Sequence, residues 1–295
     1  MQEIDTLIQN FLKDLGNDIV LRMSNSIKTG KKLRSKLILS ISGENESSYR
    51  LCAVVELIHL ASLLHDDIVD EASLRRGARS VNAEFGAKNA LMLGDVFYSK
   101  AFYELLSLDK KIASIVANAV SKLAIGELLD VELSKSFNAD KNLYLDMLYK
   151  KTAVLIEASA ASAAILAGFD ENDFKEYGKN LGIAFQLVDD ILDIQGDEKT
   201  LGKEAFSDFK EGKSTLPYIY LYEALADKSL LLNFYKKELN EADKKLLLSE
   251  FKNYEILQKC KNEAKKYGKK ALQAIQSYDN QKLNDIVENM IDRSF

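Results

Sequence analysis

The stretch Leu63-Leu64-His65-Asp66-Asp67-Ile68-Val69-Asp70-Glu71-Ala72-Ser73-Leu74-Arg75-Arg76-Gly77 decides how this chain reads. An apolar run containing Leu57, Ile58, Leu60, Ala61, Leu63 and Leu64 leads into acids, and two arginines and a glycine follow them. A helix continuing through the run carries Asp66 and Asp70 on one face, because residues four apart are neighbours there. Like charges one turn apart cost such a helix roughly 0.2–0.5 kcal/mol. Local helix stability therefore does not account for them, and a bound divalent cation does. Asp189-Asp190-Ile191-Leu192-Asp193 repeats the pattern.

The rest of the composition agrees with helices. The chain has 295 residues, 47% of them hydrophobic, with one proline, no tryptophan and 14 glycines. Ala, Leu, Ile, Lys and Glu dominate, which suits long helices and disfavours sheets. A net charge of −5 gives a nucleic-acid partner no global electrostatic support. Cys52 and Cys260 are the only cysteines, and they suggest no disulfide framework. The acidic start, Met1-Gln2-Glu3-Ile4-Asp5, does not resemble a signal peptide, and we expect no membrane span and a cytoplasmic location.

Along the chain, apolar spacing predicts an amphipathic helix over Ile4–Met23 and a long helix through the first acidic cluster. Further helices are expected near Asn89–Leu106, Lys110–Ser134, Asn142–Ala167 and Asp170–Ile194, with loops at Ala78–Lys88 and Gly196–Lys213. Pro217 suits the first turn of a restarted helix, and the Lys/Glu-rich remainder reads as a solvated helical exterior. We find no strand-like alternation of useful length, no repeat and no linker, so residues 1–295 read as one all-α domain.

Two segments carry cations. Thr29-Gly30-Lys31-Lys32-Leu33-Arg34-Ser35-Lys36 reads either as a solvated basic turn or as an anion site. In the second reading Gly30 permits a tight entry, and Lys31 and Arg34 stand one turn apart on the following helix. Lys150-Lys151-Thr152 precedes the small-residue run Ala158–Ala164. His59 and His65 lie on the acidic helix, and His65 could support a carboxylate. Hard cations such as Mg²⁺ take oxygen ligands and bind through a carboxylate or two plus substrate phosphates. No Cys/His set has zinc spacing. Carboxylates cannot hold an anion directly, so the metal inverts the local charge logic and the basic groups complete a diphosphate site. The apolar run beside it implies a hydrocarbon tail on that diphosphate.

These segments resemble the trans-type polyprenyl diphosphate synthases of the isoprenoid synthase superfamily. Asp66-Asp67-Ile68-Val69-Asp70 with Arg75-Arg76-Gly77 resembles the family's first aspartate-rich motif, and Phe185–Asp193 its second. Gly30–Arg34, Lys151-Thr152 and Gly212-Lys213-Ser214-Thr215-Leu216-Pro217 match three further segments in family order. Ser35 stands where the family usually has proline.

The resemblance implies an antiparallel helical bundle around a central cavity, usually a homodimer. Asp66, Asp67, Asp70 and Asp189 would hold three Mg²⁺ ions (Mn²⁺ as a substitute), with Asp190 and Asp193 supporting. Arg75, Lys151 and Lys203 would hold the allylic diphosphate, farnesyl or geranylgeranyl, and Lys213 would be a further substrate-binding residue. Lys31, Arg34, His59 and Arg76 would hold isopentenyl diphosphate. Thr152 and Gln186 would face the reacting carbons, and the released diphosphate would take the final proton.

Ala61 and Ser62 set the expected product. Short-chain members carry a bulky aromatic at one of these positions; here both are small, so a tail could descend past Ile58 towards Val54 and Val55. We expect a long-chain product, near octaprenyl length and suited to delivery to a membrane. The alternative is a short-chain farnesyl or geranylgeranyl diphosphate synthase. A cyclase or head-to-head synthase would not need the second diphosphate site, and a regulatory subunit would not keep all six aspartates.

Overall fold

The computed structural model describes residues 1–195 and 205–292. The chain forms two compact units: Met1–Ser121 with Leu155–Lys175, and Lys122–Val154 with Glu176–Phe295. Both are helical. Among the described residues the only strands are the two-residue pair β1 (Leu74–Arg75) and β2 (Ala78–Arg79).

In the first unit the central element is α4 (Glu46–Val69), 24 residues long. It packs against α1 (Gln2–Lys13), α3 (Leu33–Ser42) and α6 (Ala87–Leu105). Asn45 starts it by accepting the Ser48 N–H. Leu51, Cys52, Ala53, Val54, Val55, Leu57 and Ile58 are fully buried. This is a helix apolar on all faces, as expected of a core element. Each large aliphatic side chain so buried contributes about 1.5–3 kcal/mol.

The expected helix over Ile4–Met23 is two helices, α1 and α2 (Asp18–Asn25). Gly16 adopts a left-handed φ of 61°, and Asn17 caps α2 by accepting the Ile19 and Val20 N–H groups. Gly-Asn is a turn signal that the apolar spacing had overridden.

The end of α4 sets up the site. Asp70 closes the helix, Glu71 turns left-handed at φ 51°, and paired reversed bonds follow: Ala72 N–H to Asp67 O at 2.9 Å and Glu71 N–H to Ile68 O at 3.3 Å. This is a Schellman close with glutamate where glycine is usual. The chain then forms a hairpin pairing Leu74 with Arg79 and Arg75 with Ala78. Arg76 (φ 55°) and Gly77 (φ 71°) supply the two left-handed positions of a two-residue turn. Part of the stretch expected as loop is α5 (Val81–Phe85), capped by Ser80.

Helix α7 (Lys110–Leu133) runs from the first unit into the second. By length and composition it is apolar enough to cross a membrane, which the sequence reading did not expect. Its apolar character includes a surface strip of Ile125, Leu128 and Val131, with Leu128 70% exposed.

The expected single helix over Asn142–Ala167 is α8 (Lys141–Leu148), a turn of π-helix at Tyr149–Ala153, and α9 (Val154–Ala167). Helix α10 (Glu171–Gln195) follows. After it come α11 (Ser207–Lys210), α12 (Leu216–Ala224, Pro217 in its first turn), α13 (Ser229–Phe234), α14 (Glu241–Asn253), α15 (Ile256–Ala274) and α16 (Gln281–Asp292). In the second unit Phe209 stacks on Tyr218 at 4.1 Å and Tyr218 meets Phe251 edge-on. The Tyr177 hydroxyl donates to Leu283 O, tying α10 to α16. Cys52 and Cys260 are each buried and free, as small core residues.

A left-handed glutamate costs roughly 1–2 kcal/mol that glycine avoids. Glu71→Gly should therefore raise unfolding stability by about 1 kcal/mol, net of glycine's larger chain entropy. Urea melts with an unchanged slope would read this, and a loss of stability would contradict the assigned turn.

Candidate active site

The first unit gathers most of the expected first cluster. Asp66 and Asp70 are half-buried and Asp67 is buried. The Arg75 guanidinium reaches back from β1, donating through Nε to Asp67 Oδ1 at 2.7 Å and through Nη2 to Asp66 Oδ2 at 3.1 Å. The Asp67 carbonyl also accepts from Asn82 Nδ2 at 3.0 Å, which ties α5 to the end of α4.

Arg76, at the turn, goes elsewhere. Its Nη1 donates to Lys28 O at 2.7 Å, and its guanidinium lies against Gly30. A Cβ on Gly30 would fall 2.5 Å from Arg76 Nη2. Gly30 therefore makes room for a side chain, while the left-handed backbone that starts α3 is at Lys32 (φ 50°). Because α3 begins at Leu33, Lys31 precedes the helix and is exposed, so it is not one helical turn from Arg34 as expected.

Arg34 and Arg76 are cations close enough to act on the buried imidazole of His59. Burial pushes the His59 imidazole well below its usual range, and Arg34, Arg76 and Arg75 add to that shift. The Arg34 guanidinium is lowered by burial, partly offset by Glu56. Arg34 Nε is buried with no hydrogen-bond partner among the described residues, a donor that an anion would satisfy. Buried Glu56 accepts from Ser35 Oγ at 2.6 Å. A cavity of about 160 Å³ is lined in part by Thr29, Gly30, Glu56, His59 and Arg76. Ala61 is fully buried, and half-buried Ser62 bonds to His59 O.

In the second unit the π turn presents Lys151 and Thr152. Lys151 Nζ pairs with Glu127 at 2.8 Å and Asp130 at 2.7 Å, both on α7. Two glycines allow the close packing: a Cβ on Gly126 would lie 2.3 Å from the Lys151 amide nitrogen, and one on Gly182 would lie 2.6 Å from Ala153 Cα. Thr152 Oγ1 donates to Gln186 Oε1 at 3.3 Å. Of the second cluster, Asp189 is half-buried. Asp190 is buried between the Tyr144 hydroxyl and Gln186 Nε2, and burial raises its carboxyl well above the usual range. Asp193 accepts from Ser207 Oγ at 2.7 Å. Lys213 pairs with Glu211 at 2.6 Å. Lys203 lies outside the described residues.

The donor chemistry fits a hard cation. Asp66 and Asp67 already share a cation, the Arg75 guanidinium, through carboxylate oxygens. Among the described residues no group of three or more His, Cys, Asp or Glu converges as a ready-made cage. A cation that binds through one or two carboxylates and keeps water and phosphate oxygens needs none. Sequence reasoning missed Glu127, Asp130 and Tyr144 as partners of site residues. The signal for the two acids was faint: they stand three apart in Gly126-Glu127-Leu128-Leu129-Asp130 on a largely apolar helix.

A family model described as Polyprenyl synthetase matches residues 18–251. The chain belongs to the polyprenyl synthetase family. It is a trans-prenyltransferase with the isoprenoid synthase fold. It is similar to the octaprenyl pyrophosphate synthase of Helicobacter pylori, at 43% identity and TM-score 0.95 over 99% of this chain and 98% of that one. It is also similar to a polyprenyl synthase from Caulobacter crescentus CB15 solved with calcium and isoprenyl diphosphate, at 30% identity and TM-score 0.91 over 99% and 94%. The geranylgeranyl diphosphate synthase of Sulfolobus acidocaldarius is 36% identical, covering 83% of this chain and 80% of the relative. These similarities support a long-chain polyprenyl synthetase; the short-chain alternative is not better supported.

Gly126 tests the clasp around the π turn. Gly126→Ala should cost about 1–3 kcal/mol in overpacking, and at temperatures where the variant stays folded it should lower kcat about tenfold by displacing Lys151. Unchanged stability and kcat would mean that the turn does not depend on this contact.

Proposed function

We propose that this protein adds isopentenyl diphosphate units head-to-tail to an allylic diphosphate, farnesyl or geranylgeranyl, and makes a long-chain trans-polyprenyl diphosphate near octaprenyl length. One observation carries the reading. Adjacent arginines diverge: Arg75 joins the acids Asp66 and Asp67, while Arg76 joins Gly30 near Arg34 and His59. A two-substrate enzyme needs two neighbouring diphosphate positions of this kind, one metal-linked and one purely cationic.

Asp66, Asp67, Asp70 and Asp189 would hold Mg²⁺, three ions in all, with Mn²⁺ as a substitute. Bound Mg²⁺ supplies positive charge to the oxygens of the departing diphosphate. Arg75, Lys151 and Lys203 neutralise the allylic diphosphate by fork and point-charge contacts, and Lys213 is a further substrate-binding cation. Lys31, Arg34, His59 and Arg76 hold isopentenyl diphosphate, and an anion there would satisfy the buried Arg34 Nε. The Thr152 hydroxyl and Gln186 carbonyl dipoles favour the allylic cation. The departed diphosphate accepts the proton lost when the new double bond forms, so no histidine base is required. Water must be kept from the cation, which the apolar α4 face serves.

Residues 1–295 act as one polyprenyl synthase domain, a reading supported by a family match that covers residues of both units. A homodimer is supported by the exposed strip Ile125, Leu128 and Val131 on α7. We place the enzyme in the cytoplasm, delivering its product to a membrane.

Incubation with labelled isopentenyl diphosphate, farnesyl diphosphate and Mg²⁺, with chain-length analysis, should give a ladder ending well beyond geranylgeranyl length. Ala61→Phe should shorten it, as a bulkier side chain closes the path along α4. A wild-type product stopping at geranylgeranyl would replace the long-chain reading with the short-chain one; no Mg²⁺-dependent product from any allylic primer would refute both.

A further inference from the structure

We propose that Asp190 is a positioning residue rather than a metal ligand: with Tyr144 it fixes the amide of Gln186 so that Oε1 is the end presented beside Thr152. The inference rests on the reading that Thr152 and Gln186 face the reacting carbons.

The four side chains form a directed relay within the second unit. The Tyr144 hydroxyl, on α8, donates to Asp190 Oδ2 in a close hydrogen bond. Gln186 Nε2 donates to Asp190 Oδ1 at 3.3 Å. Thr152 Oγ1, on the π turn, donates to Gln186 Oε1 at 3.3 Å. Tyr144 is 3% exposed and Asp190 2%, so both carboxylate oxygens are committed inside the unit. Asp189, one residue earlier and about 100° round the helix, is half-buried and carries the outward role. The two neighbouring aspartates thus have different surroundings despite identical chemistry.

With Asp190 as the carboxylate that accepts from both Tyr144 and Gln186, a form those two donors favour against burial, the relay has one sense. A glutamine amide carries two donors on nitrogen and acceptors on oxygen. Reversing it would set Oε1 against the Asp190 carboxylate oxygen, acceptor against acceptor, whereas the Thr152 hydroxyl could accept from an NH₂ as well as donate to Oε1. Asp190 therefore selects the orientation, and Tyr144 holds Asp190 in place. Gly182, one turn before Gln186, lets α10 approach the π turn at Ala153 and so sets the reach from Gln186 to Thr152.

Asparagine separates the two roles. At position 190 it can still accept from Gln186 Nε2 through Oδ1 and donate through Nδ2 to the Tyr144 oxygen, but it has lost the charge a metal needs. We would measure kcat, KM and direct Mn²⁺ binding with inorganic diphosphate, by electron paramagnetic resonance, for Asp190→Asn, Asp190→Ala, Tyr144→Phe and Asp189→Asn. Asp190→Ala should lower kcat by about tenfold or more, with Tyr144→Phe changing it in the same direction. Asp190→Asn should recover most of the Asp190→Ala loss. Mn²⁺ affinity should stay within about twofold for all three, whereas Asp189→Asn should weaken it by about tenfold or more. If Asp190→Asn weakens Mn²⁺ binding as Asp189→Asn does, Asp190 is a ligand and the proposal fails. It also fails if Asp190→Ala, or Tyr144→Phe should the alanine variant not fold, leaves kcat intact. If Asp189→Asn changes neither quantity, the metal assignment of the second cluster fails instead, and the kcat series for position 190 still decides the relay.

Discussion

The contact on which the first half of the site depends is the Arg75 guanidinium shared by Asp66 and Asp67. Asp67 is buried, and a buried carboxylate without a partner is costly; removing one member of such a pair costs about 3–5 kcal/mol. The acids can end a core helix only because a cation returns to them. That return requires the chain to reverse within five residues of Asp70, which the Schellman close and the two-residue hairpin accomplish. Reversal has a second consequence. In a hairpin the strand residue and the turn residue leave in different directions, so Arg75 and Arg76, adjacent in sequence, serve different neighbours.

The second unit solves a comparable problem with other parts. Lys151 is held between Glu127 and Asp130 on a turn of π-helix, and π turns recur at functional sites because the extra residue redirects side chains. The turn is packed by backbone contact at Gly126 and Gly182, where any side chain would collide. A cation balanced by acids can exchange one anionic partner for another with little change in local charge. That exchange is what the proposed role of Lys151 at the allylic diphosphate calls for.

Much of this was legible in the sequence. The acid clusters, the cations of the Gly30–Arg34 segment and the all-helical class follow from residue type and spacing. Helices α6, α7 and α10 lie within a few residues of their expected bounds, because long apolar periodicity is a strong signal. The break at Gly16-Asn17 was written in turn residues but lost to that periodicity. The π turn was not legible, since one inserted residue does not change composition. Nor was the reason for Gly30 or Gly126, which lies in what approaches the glycine rather than in its own backbone. Asp189 and Asp190 are indistinguishable in sequence; only burial and the Tyr144 hydroxyl separate them.

The central claim is that the hairpin sends adjacent arginines to different diphosphates. Steady-state kinetics of Arg75→Lys and Arg76→Lys, with each substrate varied at saturation of the other, test it directly. Lysine keeps the charge and loses the fork. The account predicts that Arg75→Lys raises the KM for the allylic diphosphate by about tenfold, the size of losing roughly 1.4 kcal/mol of uniform binding. It should leave that for isopentenyl diphosphate nearly unchanged, and Arg76→Lys should do the reverse. Equal effects of both variants on the same substrate would contradict it.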